Sequence, residues 1–162
     1  AAVQAAVDHA GQLDVAVNAV GIVAFGPVDE LTVDAMEELF MTNTFIPIML
    51  AKAALRVLEQ GGVIVNISGV IAEQNLPGMA GYGASKAAVR AFDEALARET
   101  RHRKIRVIDA RPPHTATGLA SRPVEGAAPS MPPGLDPVAV AATICAAIAG
   151  DAIDLPSEAF AP

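Results

Sequence analysis

The 162-residue chain has no tryptophan, one tyrosine and one cysteine. A lone cysteine excludes an internal disulfide framework. Cys145 lies in the apolar run Val138–Ile148, which predicts a buried, inert thiol rather than a nucleophile. No uninterrupted apolar stretch reaches the roughly 18 residues that a spanning helix needs. No basic segment followed by an apolar one opens the chain. The expectation is a cytoplasmic protein with no membrane partner. Positive charge is scarce, with 11 Lys and Arg against 18 Asp and Glu and a net charge of −7. Phosphate recognition needs clustered cations, so no nucleic-acid partner is expected. The cations that do cluster, Arg98, Arg101, Arg103, Lys104 and Arg106, read as a solvated helix end that complements the helix dipole. His9, His102 and His114 have no ligand spacing to Cys or acidic residues, so no metal is expected. None of the 13 glycines forms G-x-G-x-x-G, the turn that cradles a dinucleotide pyrophosphate.

What is present fits a single globular domain over residues 1–162, with 52% hydrophobic and 18% charged residues. Strand and helix signals alternate. Leu13–Val20 reads as a buried strand. A helical pattern follows from about Thr32, a candidate N-cap, to about Glu59. Pro47 should bend it, and Gly61-Gly62 should end it. Val63–Ile67 is a β-branched run, as expected of a strand covered on both faces. A loop from Ser68 to about Met79 leads into a helix from Ala80 to about His102. Ile105–Ala110 is a third strand. The Pro-rich segment Arg111–Pro133 reads as a long irregular loop, of the kind that serves as a lid or binding segment. Asp136-Pro137 opens a last helix ending near Gly150, and Ile153–Leu155 is a short candidate strand. The order predicts an α/β fold with a parallel sheet and helices on its faces. Ligands bind such sheets beyond the carboxyl ends of the strands, where Asn18, Ser68 and Pro112 fall.

The single tyrosine stands in Gly81-Tyr82-Gly83-Ala84-Ser85-Lys86, at the start of the Ala-rich helix. Residues four apart share a helix face. A phenol has an ordinary pKa of roughly 10, and a neighbouring cation favours its ionised form. Tyr82 with Lys86 is therefore a compact proton donor or acceptor.

The motifs around this pair resemble, in order, those of the classical short-chain dehydrogenase/reductase family from its fourth strand to near its C-terminus. Leu13-Asp14-Val15-Ala16-Val17-Asn18-Ala19-Val20-Gly21 is similar to the family's L-D-x-L-V-N-N-A-G segment. Asn43 resembles the family's helix asparagine, and Val65-Asn66-Ile67-Ser68 the strand leading to the catalytic serine. Tyr82 and Lys86 match the catalytic pair. Pro112-Pro113-His114-Thr115-Ala116-Thr117 resembles the P-G-x-x-x-T segment at the nicotinamide end. The resemblance implies a Rossmann-type sheet whose N-terminal strands are missing from this chain, as in part of a longer protein. It implies hydride transfer between NAD or NADP and a small-molecule carbonyl or alcohol. Tyr82 would be the proton donor or acceptor. Lys86 would lower its pKa and bind the nicotinamide ribose. Ser68 would polarise the substrate oxygen, and Asn43 would anchor a relay water. Asn18, Gly21, Tyr82, Lys86, Pro112 and Thr117 would contact the cofactor. The family's serine stands 13 residues before its tyrosine, which is Gly69 here, with Ser68 one residue earlier. A homodimer or homotetramer through the two long helices is implied as well. The alternative is a catalytically silent, dimerising homologue without cofactor binding.

Overall fold

The computed structural model describes residues 2–160. Strands β1 (Val15–Asn18), β2 (Val63–Ile67) and β3 (Arg106–Ala110) form a parallel sheet in the order β1-β2-β3. Val17 pairs with Val65, and Val65 with Ile108. Five α-helices accompany them: α1 (Ala2–Ala10), α2 (Val33–Phe40), α3 (Ile46–Ala54), α4 (Ala80–Thr100) and α5 (Pro137–Ala149). Successive strand side chains point to opposite faces, and both faces are covered. On one, Ala16, Ile64 and Val107 pack with Ala51 and Ala54 of α3 and Leu96 of α4. On the other, Val63, Val65 and Ile108 pack with Val140, Ile144 and Ala147 of α5. Burial on both sides explains the near-continuous apolar reading of β2. β1 is one edge of the sheet among the described residues, with Val17 and, just past the strand, Val20 about half exposed.

The long helix expected over 32–59 is broken in three. Thr32 caps α2, its hydroxyl accepting from the Ala35 amide at 3.2 Å. Met41–Phe45 forms a wide π turn, and α3 follows. Pro47 has no N–H to give the Asn43 carbonyl, and the Ile46 amide instead reaches Met41 O. The widened turn buries Asn43 and Thr44. α3 then stops at Ala54, well before Gly61. The guanidinium of Arg103 takes the Leu55 and Leu58 carbonyls at 2.9 and 2.7 Å, and those acceptors are no longer available to a continuing helix. Arg106 does the same for α5, donating to Ala147, Ile148 and Ala152 carbonyls. Two members of the cation cluster are thus helix-end partners rather than solvated charges.

Two other expectations are corrected. Cys145 is exposed, because α5 buries Val140, Ile144 and Ala147 and these define a face that 145 opposes. Ile153–Leu155 forms only one bridge, between Leu155 and Ala110. The Pro-rich segment has the predicted irregularity but is pinned. Val124 N donates to Val23 O and Phe25 N to Glu125 O, while the Glu125 carboxylate accepts from the Thr32 amide at 2.9 Å and from its hydroxyl. Gly126, at φ +75°, is required there: a Cβ would lie 1.7 Å from the Phe25 carbonyl oxygen.

Candidate active site

A cavity of about 440 Å³ opens beyond the carboxyl ends of the strands. Gly21, Ser68, Tyr82, Lys86, Pro112 and Thr117 line it, each a residue singled out from the sequence. His114 lines it too. Thr115 and Arg122 also line it, and the rest of the wall is largely apolar, with Phe25, Leu76, Met79, Leu119 and Met131. A smaller hollow, of about 210 Å³ and lined by Gln12, Asp14 and Gly62, lies at the strands' amino ends, away from Tyr82.

Helix α4 brings Tyr82 and Lys86 to the cavity together, as their spacing requires. Burial pushes the Tyr82 phenol up to about 12. The expected lowering by Lys86 does not prevail, and the physical reason is loss of water around the phenolate. Burial also pulls the Lys86 ammonium down to about 8, against a smaller opposing pull from Asp109. Lys86 Nζ donates to the Ile67 carbonyl at 2.8 Å. An ammonium has three donors, so one acceptor among the described residues leaves capacity toward the cavity. Gly21 faces this ammonium: a Cβ there would lie 3.3 Å from Lys86 Nζ and 3.4 Å from Asn43 Oδ1. Only a bare backbone leaves that approach open.

Asn43 is completely buried, and its amide is used within the protein. Oδ1 accepts from the Ile22 amide at 2.9 Å, and Nδ2 donates to Ile22 O and Ser85 Oγ, both at 3.0 Å. It therefore fixes the segment after β1 against α4, and its side chain is not among those lining the cavity. Asn18 is likewise buried and is not among the residues lining the cavity; its Oδ1 receives a long 3.4 Å contact from the Val20 amide. Ser68 has its hydroxyl donated to Asp109 Oδ1 and is fully buried, so that proton is not offered to a substrate oxygen. Gly69, at the family's serine position, has φ +82° and ψ 162°, a region open to glycine.

Sequence reasoning missed the charged groups beneath this site. Asp109 and Arg111 follow each other at the period of two that puts side chains on one face. Arg111 binds Asp109 Oδ2 at 2.6 Å, Asp154 through two bonds of 2.7 Å, and Glu73. Deeper along the same face, Asn66 Nδ2 donates to Asp93 Oδ1 at 2.6 Å. The signal was Asp109 within the apolar run of β3, with Arg111 two residues on, just past the strand's end.

A sequence model of the short chain dehydrogenase family matches residues 1–127. The chain belongs to this family. It is 36% identical over 115 residues to an uncharacterized oxidoreductase of Methylorubrum extorquens, covering 71% of this chain and 46% of that protein. It is 34% identical over 134 residues to a hydroxynaphthalene reductase-like protein of Metarhizium acridum, covering 80% and 50%. The structure of a short chain dehydrogenase from Burkholderia cenocepacia in complex with NADP superimposes with a TM-score of 0.82 at 28% identity, covering 99% of this chain and 71% of that one. The α/β, Rossmann-type reading of the sequence is thereby established. The chain spans about half the length of the curated relatives it matches.

Proposed function

We propose that this short-chain dehydrogenase/reductase chain carries the proton-handling centre of an NAD(P)-dependent oxidoreductase that interconverts a carbonyl and an alcohol. The observation that carries the reading is the pairing of Tyr82, the chain's single tyrosine, with Lys86 on one wall of the cavity at the strands' carboxyl ends. The residues present fit the nicotinamide end of such a cofactor. Gly21 keeps an approach to Lys86 open, and the Lys86 ammonium has donors for ribose hydroxyls. When bound, the cofactor would supply or accept the hydride. With a pKa of about 12, the Tyr82 phenol holds its proton at neutral pH and is poised to donate it to a carbonyl oxygen. The reduction direction therefore uses the resting protonation state. Lys86, charged below its midpoint of about 8, favours the phenolate left behind. Pro112 and Thr117 would form the wall beside the carboxamide.

The large apolar share of the wall suits a ring-containing carbonyl compound. The reductase-like relative from Metarhizium acridum, whose name refers to hydroxynaphthalene, accords with that class. NAD and NADP are both compatible with these residues, and the NADP-bound structural relative makes NADP the first cofactor to try. Met41, Phe45, Ile46 and Met49 leave an exposed apolar face on the π turn and α3, which we assign to a homo-oligomer contact measurable by light scattering. The competing reading, a silent homologue, is favoured by the commitment of Ser68 to Asp109 and by Gly69. Fluorescence titration with NADPH and NADH, followed by turnover of aromatic ketones, separates the two. Binding with turnover supports the enzyme, and absence of binding by the longest natural form of the protein rejects it.

A further inference from the structure

The α4-facing side of the sheet changes character along its length. Ile64 and Val107 are apolar. One pleat further on, Asn66 stands beside Asp109 in register, and beyond them come Ser68 and Arg111. Asp109 is gripped at both oxygens: Ser68 donates to Oδ1, and Arg111 donates to Oδ2. Arg111 faces three carboxylates, those of Glu73, Asp109 and Asp154, so the cluster carries more negative charge than its guanidinium neutralises. The Glu73 carboxylate also accepts from Ser157 Oγ at 3.1 Å. The cluster thus ties together the loop after β2, the end of β3 and the C-terminal segment. The carbonyl that receives the Lys86 ammonium belongs to Ile67, adjacent to Ser68.

We infer that Asp109 is a positioning residue for the Tyr82–Lys86 centre, fixing the end of β2 through Ser68 and supplying the negative charge that keeps the buried Lys86 ammonium charged. The inference rests on the reading of Lys86 as the working cation of the site. Buried ammonium groups lose their proton readily unless an opposite charge is near. The charged and titratable groups around Lys86 are few. Helix α4 offers Tyr82 and, deeper, Asp93. The end of β3 offers Asp109 and Arg111. The segment after it offers His114 and Arg122 on the cavity wall. Among these, Asp93 and Asp109 are the two carboxylic acids, and burial pushes Asp93 up to about 8. Burial raises the Asp109 carboxyl as well, but the bonds from Ser68 and Arg111 and the Arg111 charge oppose that rise, and Asp109 is the carboxylate whose charge acts on Lys86.

The test uses this chain and needs no cofactor. Its three lysines, Lys52, Lys86 and Lys104, are acylated competitively with acetic anhydride across pH 6–11. Mass spectrometry of their peptides gives a titration midpoint for each. Asp109→Asn is expected to lower the Lys86 midpoint by about one pH unit and to leave the exposed Lys52 and Lys104 unmoved. Ser68→Ala keeps the charge and should leave the Lys86 midpoint in place. An unchanged midpoint in Asp109→Asn, or an equal shift in Ser68→Ala, overturns the inference. If Asp109→Asn does not fold, the wild-type Asp109 carboxyl ¹³C resonance decides. It must show an inflection at the Lys86 midpoint, because electrostatic coupling is mutual, and a flat trace there overturns the inference. Failure of the enzyme reading looks different: no binding of NADPH or NADH, with the Lys86 shift intact.

Discussion

Asp93→Asn should raise the stability of this protein above pH 8 and flatten its pH dependence. Asp93 is 2% exposed. Among the described residues it receives one hydrogen bond, from Asn66 Nδ2, while Asn66 Oδ1 and Asp93 Oδ2 are buried without partners there. One proton on the carboxyl supplies the donor that this pair lacks. Burial accordingly pushes Asp93 from 3.8 to about 8, with Asp109 adding to the rise and the Asn66 bond opposing it. The folded state therefore retains a proton that the unfolded chain releases near pH 4. Between pH 4 and 8 the unfolded state binds fewer protons, so stability falls as pH rises. About four units at roughly 1.4 kcal/mol each give a loss on the order of 5 kcal/mol, complete above pH 8. An asparagine at 93 keeps the shape, carries its own N–H for Asn66 Oδ1 and never ionises. Urea denaturation followed by circular dichroism at pH 5, 7 and 9 measures the difference between the two proteins. The variant should match the wild type within about 1 kcal/mol at pH 5 and exceed it by several kcal/mol at pH 9. A constant difference across the three pH values would refute the argument, whatever its sign.

Tyr82→Phe removes the phenol proton and should cut turnover of the active protein by about 10²–10⁴-fold while leaving NADPH affinity within a factor of about two; stopped-flow and fluorescence titration measure the two separately, and unchanged turnover rejects the proton-transfer role. Gly69→Ser places a hydroxyl at the family's serine position, where a Cβ meets nothing nearer than the Pro112 oxygen at 3.9 Å. The backbone at φ +82° nevertheless makes the change cost about 1–3 kcal/mol, so thermal denaturation should show a lower Tm and kinetics no gain in turnover. Gly126→Ala drives a methyl into the Phe25 carbonyl and should release the Pro-rich segment from its anchor. Limited proteolysis should then cut within 115–133 at least tenfold faster, and an unchanged rate would mean that the Glu125 contacts do not hold the segment.

The parallel sheet and the place of the site were legible because they rest on local signals. β2 is a β-branched run, Thr32 is an N-cap with acidic residues behind it, and Tyr82 and Lys86 sit one turn apart on a long Ala-rich helix. What escaped the sequence depends on partners distant along the chain. The end of α3 is set by Arg103, 48 residues beyond Leu55. Cys145 sits in an apolar run, yet the side of α5 that faces the sheet is fixed by Val140, Ile144 and Ala147. Ser68 looked available at a strand end, and only the fold brings Asp109, 41 residues away, to its hydroxyl. The Tyr82 phenol illustrates competition between two effects read separately. The spacing predicts a lowering by the neighbouring cation, but the phenol is raised by burial, which a four-residue spacing does not show.

The polar groups under the site form one electrostatic unit rather than separate residues. Lys86 and Asp93 lie seven residues apart on the buried stripe of α4, facing Ser68, Asn66 and Asp109 on the sheet. Both titrate near pH 8. At pH 7 the stripe carries an ammonium and a neutral acid. At pH 9 it carries a neutral amine and a carboxylate, a change of two charges in a region of low dielectric. Interacting sites lose protons in steps that belong to the set. Asp109 acts on both, raising Lys86 and Asp93. The state that suits carbonyl reduction, with a protonated phenol beside a charged lysine, is then the state in which Asp93 is neutral. The charge of Lys86 and the neutrality of Asp93 are thus lost together as pH rises through about 8, because both groups stand on the same buried helix face.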